Sequence, residues 1–165
     1  RMDPLEPPAL HRLMAAMGWL ELGNIAEALA ELEHIEPELQ SQPAARAARL
    51  ECLMAARQWD DAASLAEVLC KQCPEEVGVW LHFAYAARRK VDGGIEQAYQ
   101  ILAPMQAIFP DEWLIAYNLA CYLCQMNNLD EAEEMLAEAR AVGGKKVDHL
   151  AAEDEDFAPL RARAD

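Results

Sequence analysis

Ile25-Ala26-Glu27-Ala28, Trp59-Asp60-Asp61-Ala62, Ile95-Glu96-Gln97-Ala98 and Leu129-Asp130-Glu131-Ala132 are one four-residue unit written four times. Each copy opens on a large apolar residue, continues through two mostly polar or acidic residues and closes on alanine. The closing alanines stand 34, 36 and 34 residues apart. The longer middle interval reflects Val91-Asp92-Gly93-Gly94, which carries two extra residues. A fixed period in this range marks supersecondary units that stack to bury a shared core.

The columns extend in both directions from the alanine. Four residues on stand Leu32, Ala66, Leu102 and Leu136. Three further on stand Ile35, Leu69, Met105 and Ala139. Upstream, Ala16, Leu50, Ala84 and Ala120 align once the insertion is allowed for. Spacings of three and four place such residues on one face of a helix. Each unit is therefore expected to be two amphipathic helices joined by a short polar turn. Small residues are needed where the paired backbones approach most closely.

The predicted helices are 9–22, 25–38, 44–56, 59–72, 76–90, 94–108, 112–126 and 129–142. Gly23-Asn24 and Asn127-Asn128 suit left-handed turn positions. Acidic residues then open the second helices, where they complement the positive helix end. Pro74 and Pro110 stop the second helices of units two and three. Pro104 is expected to kink the sixth helix without ending it.

This pattern resembles the tetratricopeptide repeat family, whose helix–turn–helix units carry small residues at two fixed positions and a closing proline. Unit three carries the likeness in Trp80, Phe83, Ala84, Ala98, Leu102 and Pro110. Unit four carries it in Tyr117, Leu119, Ala120, Leu129, Ala132 and Leu136. Unit two departs at Arg46, where a bulky apolar residue is usual, and in unit one Pro37 is displaced. The resemblance implies an all-α, right-handed α-α superhelix of about four repeats plus a C-terminal capping helix. The expected divisions are an N-terminal segment 1–8, repeats 9–42, 43–76, 77–112 and 113–146, and a cap 147–165. The acidic run Glu153-Asp154-Glu155-Asp156 is expected to be a solvated cap surface.

Composition agrees with helix and narrows function. The 165 residues are 53% hydrophobic, with 7 glycines and no threonine. The net charge of −15 argues against nucleic acid, which requires a basic face, and against an anionic membrane surface. No apolar run approaches the roughly 20 residues that cross a bilayer. No signal peptide is legible, although one removed ahead of Arg1 is left open. Five cysteines, an odd number in no secreted framework, point to a reducing, cytoplasmic setting.

The chain shows no catalytic constellation, so no enzyme and no cofactor are expected. It holds two serines, Ser41 and Ser64, and neither sits in a nucleophile elbow. Cys70-Lys71-Gln72-Cys73 and Cys121-Tyr122-Leu123-Cys124 have metal-like spacing. The repeat frame sets them a full unit apart on different kinds of helix, so no metal is expected. His11, His34, His82 and His149 are scattered, with no i, i+4 pair among them.

In the family, the first helix of each pair lines a concave groove. Carried over by register, the protein-binding positions are Leu13, Met17, Glu51, Leu81, Tyr85, Arg88, Tyr117 and Cys121. The lysines that clamp acidic chaperone tails in some family members are missing here. The expected partner is therefore an apolar or amphipathic protein segment, with Tyr85 and Tyr117 as anchors. The alternatives are a dedicated chaperone for an aggregation-prone client, comparable to those serving type III secretion, and a self-assembling scaffold. A groove filled by the chain itself or by a second copy also stays open.

Overall fold

The computed structural model describes residues 1–164, Ala164 without its side chain. The described residues form helices and no strand. In chain order the helices are α1 (Ala9–Glu21), α2 (Ile25–Glu33), α3 (Pro43–Ala55), α4 (Trp59–Gln72), α5 (Val77–Arg89), α6 (Ile95–Leu102), α7 (Met105–Ile108), α8 (Trp113–Gln125), α9 (Leu129–Gly143), α10 (Lys145–Glu153) and α11 (Ala158–Ala164). Short 3-10 turns occupy Pro37–Leu39 and Glu155–Phe157. The chain divides into two compact units, Arg1–Ala86 and Ala87–Asp165.

Each unit is built from neighbouring helix pairs. In the first, α1 packs on α2 and α3 on α4, and α3 also meets α1 and α2. In the second, α8 and α9 form the tightest pair, with α6 and α7 against α8. The sequence columns explain the pairing. Ala28, Ala62, Ala98 and Ala132 are fully buried, as are Ala16, Ala84 and Ala120. Leu32, Ala66, Leu102 and Leu136 are buried too, as are Ile35, Leu69, Met105 and Ala139. Leu5, ahead of α1, is buried in the same cluster as Ala16, Leu32 and Cys52.

The turns repeat as faithfully as the columns. Gly23, Arg57 and Asn127 are left-handed, with φ of 76°, 56° and 62°. In each case the next amide reaches back five residues: Asn24 to the Trp19 carbonyl at 2.9 Å, Gln58 to Leu53 at 3.0 Å and Asn128 to Leu123 at 2.9 Å. This closure satisfies carbonyls that a helix end leaves without partners. The third turn differs because of its two extra residues. Asp92 is left-handed (φ 57°), and the Gly94 amide reaches back to Ala87 instead. Gly93 is confined there, since a Cβ would lie 2.1 Å from the Ala87 carbonyl oxygen.

Two expected helices are shorter than their periodicity suggests. The second ends at Glu33, not at residue 38. Glu36 precedes Pro37 and is extended (φ −53°, ψ 137°), as the proline ring demands of its predecessor. The sixth is divided into α6 and α7. Ala103 and Pro104 keep helical dihedrals, but Pro104 has no amide to donate and α7 begins after it. The expected C-terminal cap resolves into α10, the 3-10 turn and α11; its last residue, Asp165, lies outside the described residues.

The buried alanines give a direct test. Leucine at Ala62 or Ala132 adds three heavy atoms where none fits, and should cost about 1–3 kcal/mol each. Chemical denaturation of the two variants checks this. Wild-type midpoints for both would contradict the hairpin register.

Candidate functional site

Five of the eight groove positions lie in the first unit and three in the second. In the first unit, Leu13 and Met17 project from α1, half-buried against the cluster of Ala16, Leu32 and Cys52. Met14, between them on α1, is 61% exposed. Glu51 on α3 and His82 on α5 meet at 2.8 Å, and that hydrogen bond holds the Glu51 carboxyl below its usual range. Leu81 is half-buried on α5. Tyr85 is 41% exposed and tilts against Trp59, ring centroids 5.7 Å apart. Leu10, Leu13, Met14 and Met17 thus form an apolar strip of α1, with Met14 in solvent.

In the second unit, Arg88, Tyr117 and Cys121 converge on one feature, the chain's own Asp154-Glu155-Asp156-Phe157. The Arg88 guanidinium donates to both carboxylate oxygens of Asp156, at 2.5 and 2.8 Å. This two-pronged geometry is the strong form of the pair. It raises the Arg88 pKa further above its ordinary value. The Tyr117 hydroxyl donates to Asp154 Oδ2 at 2.8 Å, and the Cys121 thiol lies 3.8 Å from the same oxygen. Gln125 Nε2 donates to the Asp156 main-chain carbonyl at 2.8 Å. Phe157 is 1% exposed and meets the Tyr117 ring edge-on at 5.4 Å.

The segment is shaped to fit. Asp154 caps the 3-10 turn by accepting from the Asp156 amide at 3.0 Å. Arg161 Nη1 donates to the Ala151 and Asp154 carbonyls, both at 2.8 Å, and fixes the bend that aims Phe157 inward. The acidic run is therefore split, which corrects the expectation of a wholly solvated surface. Glu153 and Glu155 are exposed, whereas Asp154 and Asp156 are half-buried and bonded. Covering this face also changes its chemistry. Burial, reinforced by the Asp154 hydrogen bond, pushes the Tyr117 phenol up. Burial, reinforced by the Asp154 and Asp156 charges, pushes the Cys121 thiol up.

Sequence reasoning named Arg88, Tyr117 and Cys121 but not the Asp154–Phe157 segment they hold. Arg88 has a partner in Asp156, and the neighbouring Asn118 of α8 donates to the Leu114 carbonyl at 2.8 Å. All five cysteines are free and buried. No group of three or more His, Cys, Asp or Glu side chains able to hold a metal occurs among the described residues. No helix among them is long and apolar enough to cross a membrane.

No family model matches the chain, and no curated protein matches it.

Proposed function

We propose that the chain is a non-enzymatic scaffold of the tetratricopeptide type, which binds a segment of another protein along the inner faces of its first helices. The observation that carries the reading is the peptide already lying on one such face. In the second unit, register positions on α8 hold Asp154–Phe157 through side-chain and main-chain contacts. In the first unit the equivalent positions on α1, Leu13 and Met17, flank the exposed Met14. A surface that accepts a peptide in one register and offers apolar side chains in the other suits segment recognition. The repeat phase and the recurring turn closure support the superhelical reading.

A photo-crosslinking amino acid at Met14 tests this in the native cell. Adducts are expected at position 14, and not at Ala137, an exposed alanine on α9. Arginine at Leu13 and Met17 together should remove the adduct in a protein that still folds. Equal yields at positions 14 and 137 would count against the reading.

A further inference from the structure

We infer that the α8 face of the second unit is a recognition site for an acidic–aromatic protein segment of the form Asp-x-Asp-aromatic, and that Asp154–Phe157 is its exchangeable internal occupant. The inference rests on the proposed segment-binding reading and adds the chemistry of the ligand.

The face is selective because the side-chain groups that meet the oxygens of Asp154 and Asp156 are donors. The Arg88 guanidinium, the Tyr117 hydroxyl, the Cys121 thiol and the Gln125 amide nitrogen all point at oxygens of the segment. Such a set calls for carboxylates, and the guanidinium fork calls for one in bidentate geometry. A lysine-bearing segment would leave these donors facing a cation. The aromatic residue next in the segment supplies the apolar anchor, as Phe157 does against Tyr117. Gln125 reads the main chain of the segment, so it discriminates little between side chains. Together these contacts specify two acidic side chains two residues apart and an aromatic ring next in the chain.

Exchange requires only the Asp154–Phe157 turn and α11 to lift, because α10 before them is anchored by its own contacts, with Val147 fully buried and Arg140 donating to Asp148 at 2.5 Å. A solvent-open pocket of about 270 Å³ borders the segment, lined by Leu136, Arg140, Asp148, Ala151 and Leu160, so water reaches this edge of the docked turn. Arg163 of α11 pairs with Asp130 at 2.6 Å, but that pair is largely exposed and so contributes little. The covalent link begins at Gly143-Gly144. Gly144 has φ 65° and ψ −150°, a conformation that L side chains rarely adopt, so the connection to α10 is not held as a continuous helix. An internal ligand of this kind competes with an external one at high effective concentration. The site is then masked until a partner segment of matching chemistry arrives.

The test uses a fluorescein-labelled peptide with the sequence of residues 152–160, Ala-Glu-Asp-Glu-Asp-Phe-Ala-Pro-Leu, titrated by anisotropy against the full chain. Asp154→Asn with Asp156→Asn weakens the internal occupant and leaves the receptor face intact. That variant is expected to bind the peptide at least tenfold more tightly than wild type, and adding Arg88→Met should remove the gain. No gain in a variant of native helicity, or a gain indifferent to Arg88→Met, overturns the inference. Hydrogen exchange on the unaltered chain gives an answer independent of any variant. The Asp156 and Phe157 amides are expected to exchange at least a hundredfold faster than those of Ala120–Leu123 in α8. Equal protection would make the segment a fixed part of the fold. Peptide binding without crosslinking at Met14 would sink the scaffold reading of the first unit and keep this site; the converse pattern would sink this site alone.

Discussion

Alanine at Phe157 is expected to expose Cys121 and Cys124 to thiol reagents about a hundredfold faster than in the unaltered chain. Truncating a buried phenylalanine costs about 3–5 kcal/mol locally, combining lost transfer energy with the cavity left behind. Phe157 is nearly inaccessible and braced against Tyr117. Its loss should show first as release of the segment that contains it. The free energy of docking that segment limits how much global melting can register. Thiols report the release directly, because Cys121 lies against Asp154 and the Leu160 main chain hydrogen-bonds Cys124. Each 1.4 kcal/mol is tenfold in the open population, so about 3 kcal/mol gives the stated factor. Cys52 and Cys70, packed in the first unit, should react no faster than before. Labelling resolved by peptide mass spectrometry checks both halves. A uniform rise across all five thiols would indicate general unfolding and contradict a local cover.

The contrast between these cysteines shows what the sequence carried and what it did not. The helix pairing was legible because small residues recur at one phase. Ala62 and Ala132 are buried to the same degree although 70 residues separate them. The turns were legible because Gly23 and Asn127 belong to the few residue types that tolerate left-handed angles. Arg57 adopts the same angle without any such preference. There the repeat, and not the residue, imposes the conformation. The role of Asp154–Phe157 was not legible, because a short acidic run reads alike whether solvated or paired. The side chain that decides the matter, Arg88, lies 68 positions away.

One signal did point to a cover. Ile115 to Cys124 are all buried except the half-buried Asn118, and the sequence of α8 has no polar face to set against solvent. A helix apolar on every side must be covered on every side. Reading that side as a groove, with its filling by the chain itself left open, made no use of this. By contrast α1 keeps His11, Arg12 and Met14 exposed, so its apolar strip is one-sided. Tyr85 and Tyr117 looked equivalent by register, yet the first is in solvent beside Trp59 and the second is buried under the chain's own segment. The repeat itself does not make that difference; the residues beyond the fourth repeat do, by folding back over Tyr117.

Burial of thiols and phenols in this manner makes the fold sensitive to alkali, and the expected loss is about 4 kcal/mol between pH 9 and pH 10.5. The Cys70 thiol is pushed up to about 12 by burial, with the Glu67 charge adding to it. The Cys121 thiol is raised by burial and by the Asp154 and Asp156 charges. Burial pushes the Tyr122 phenol up to about 12. All three keep their protons in the folded chain at a pH where the unfolded chain releases them. The unfolded state then binds fewer protons, so stability falls as pH rises. The fall begins near pH 9, the ordinary thiol value, and steepens past pH 10, the ordinary phenol value. For Cys70 and Tyr122 it is complete near pH 12. Integrated from pH 9 to 10.5, each of the two thiols removes about 1.6 kcal/mol and the phenol about 0.8 kcal/mol, which together give the stated figure. Urea titrations in reductant at pH 8, 9, 10 and 10.5 measure the slope. The decisive comparison is Cys70→Ala combined with Cys121→Ala. That variant should lose a large part of the slope between pH 9 and 10, the Cys52 and Cys124 thiols, which burial also raises, supplying much of the remainder. A slope unchanged by removing both would mean that the buried thiols are not what couples this fold to pH.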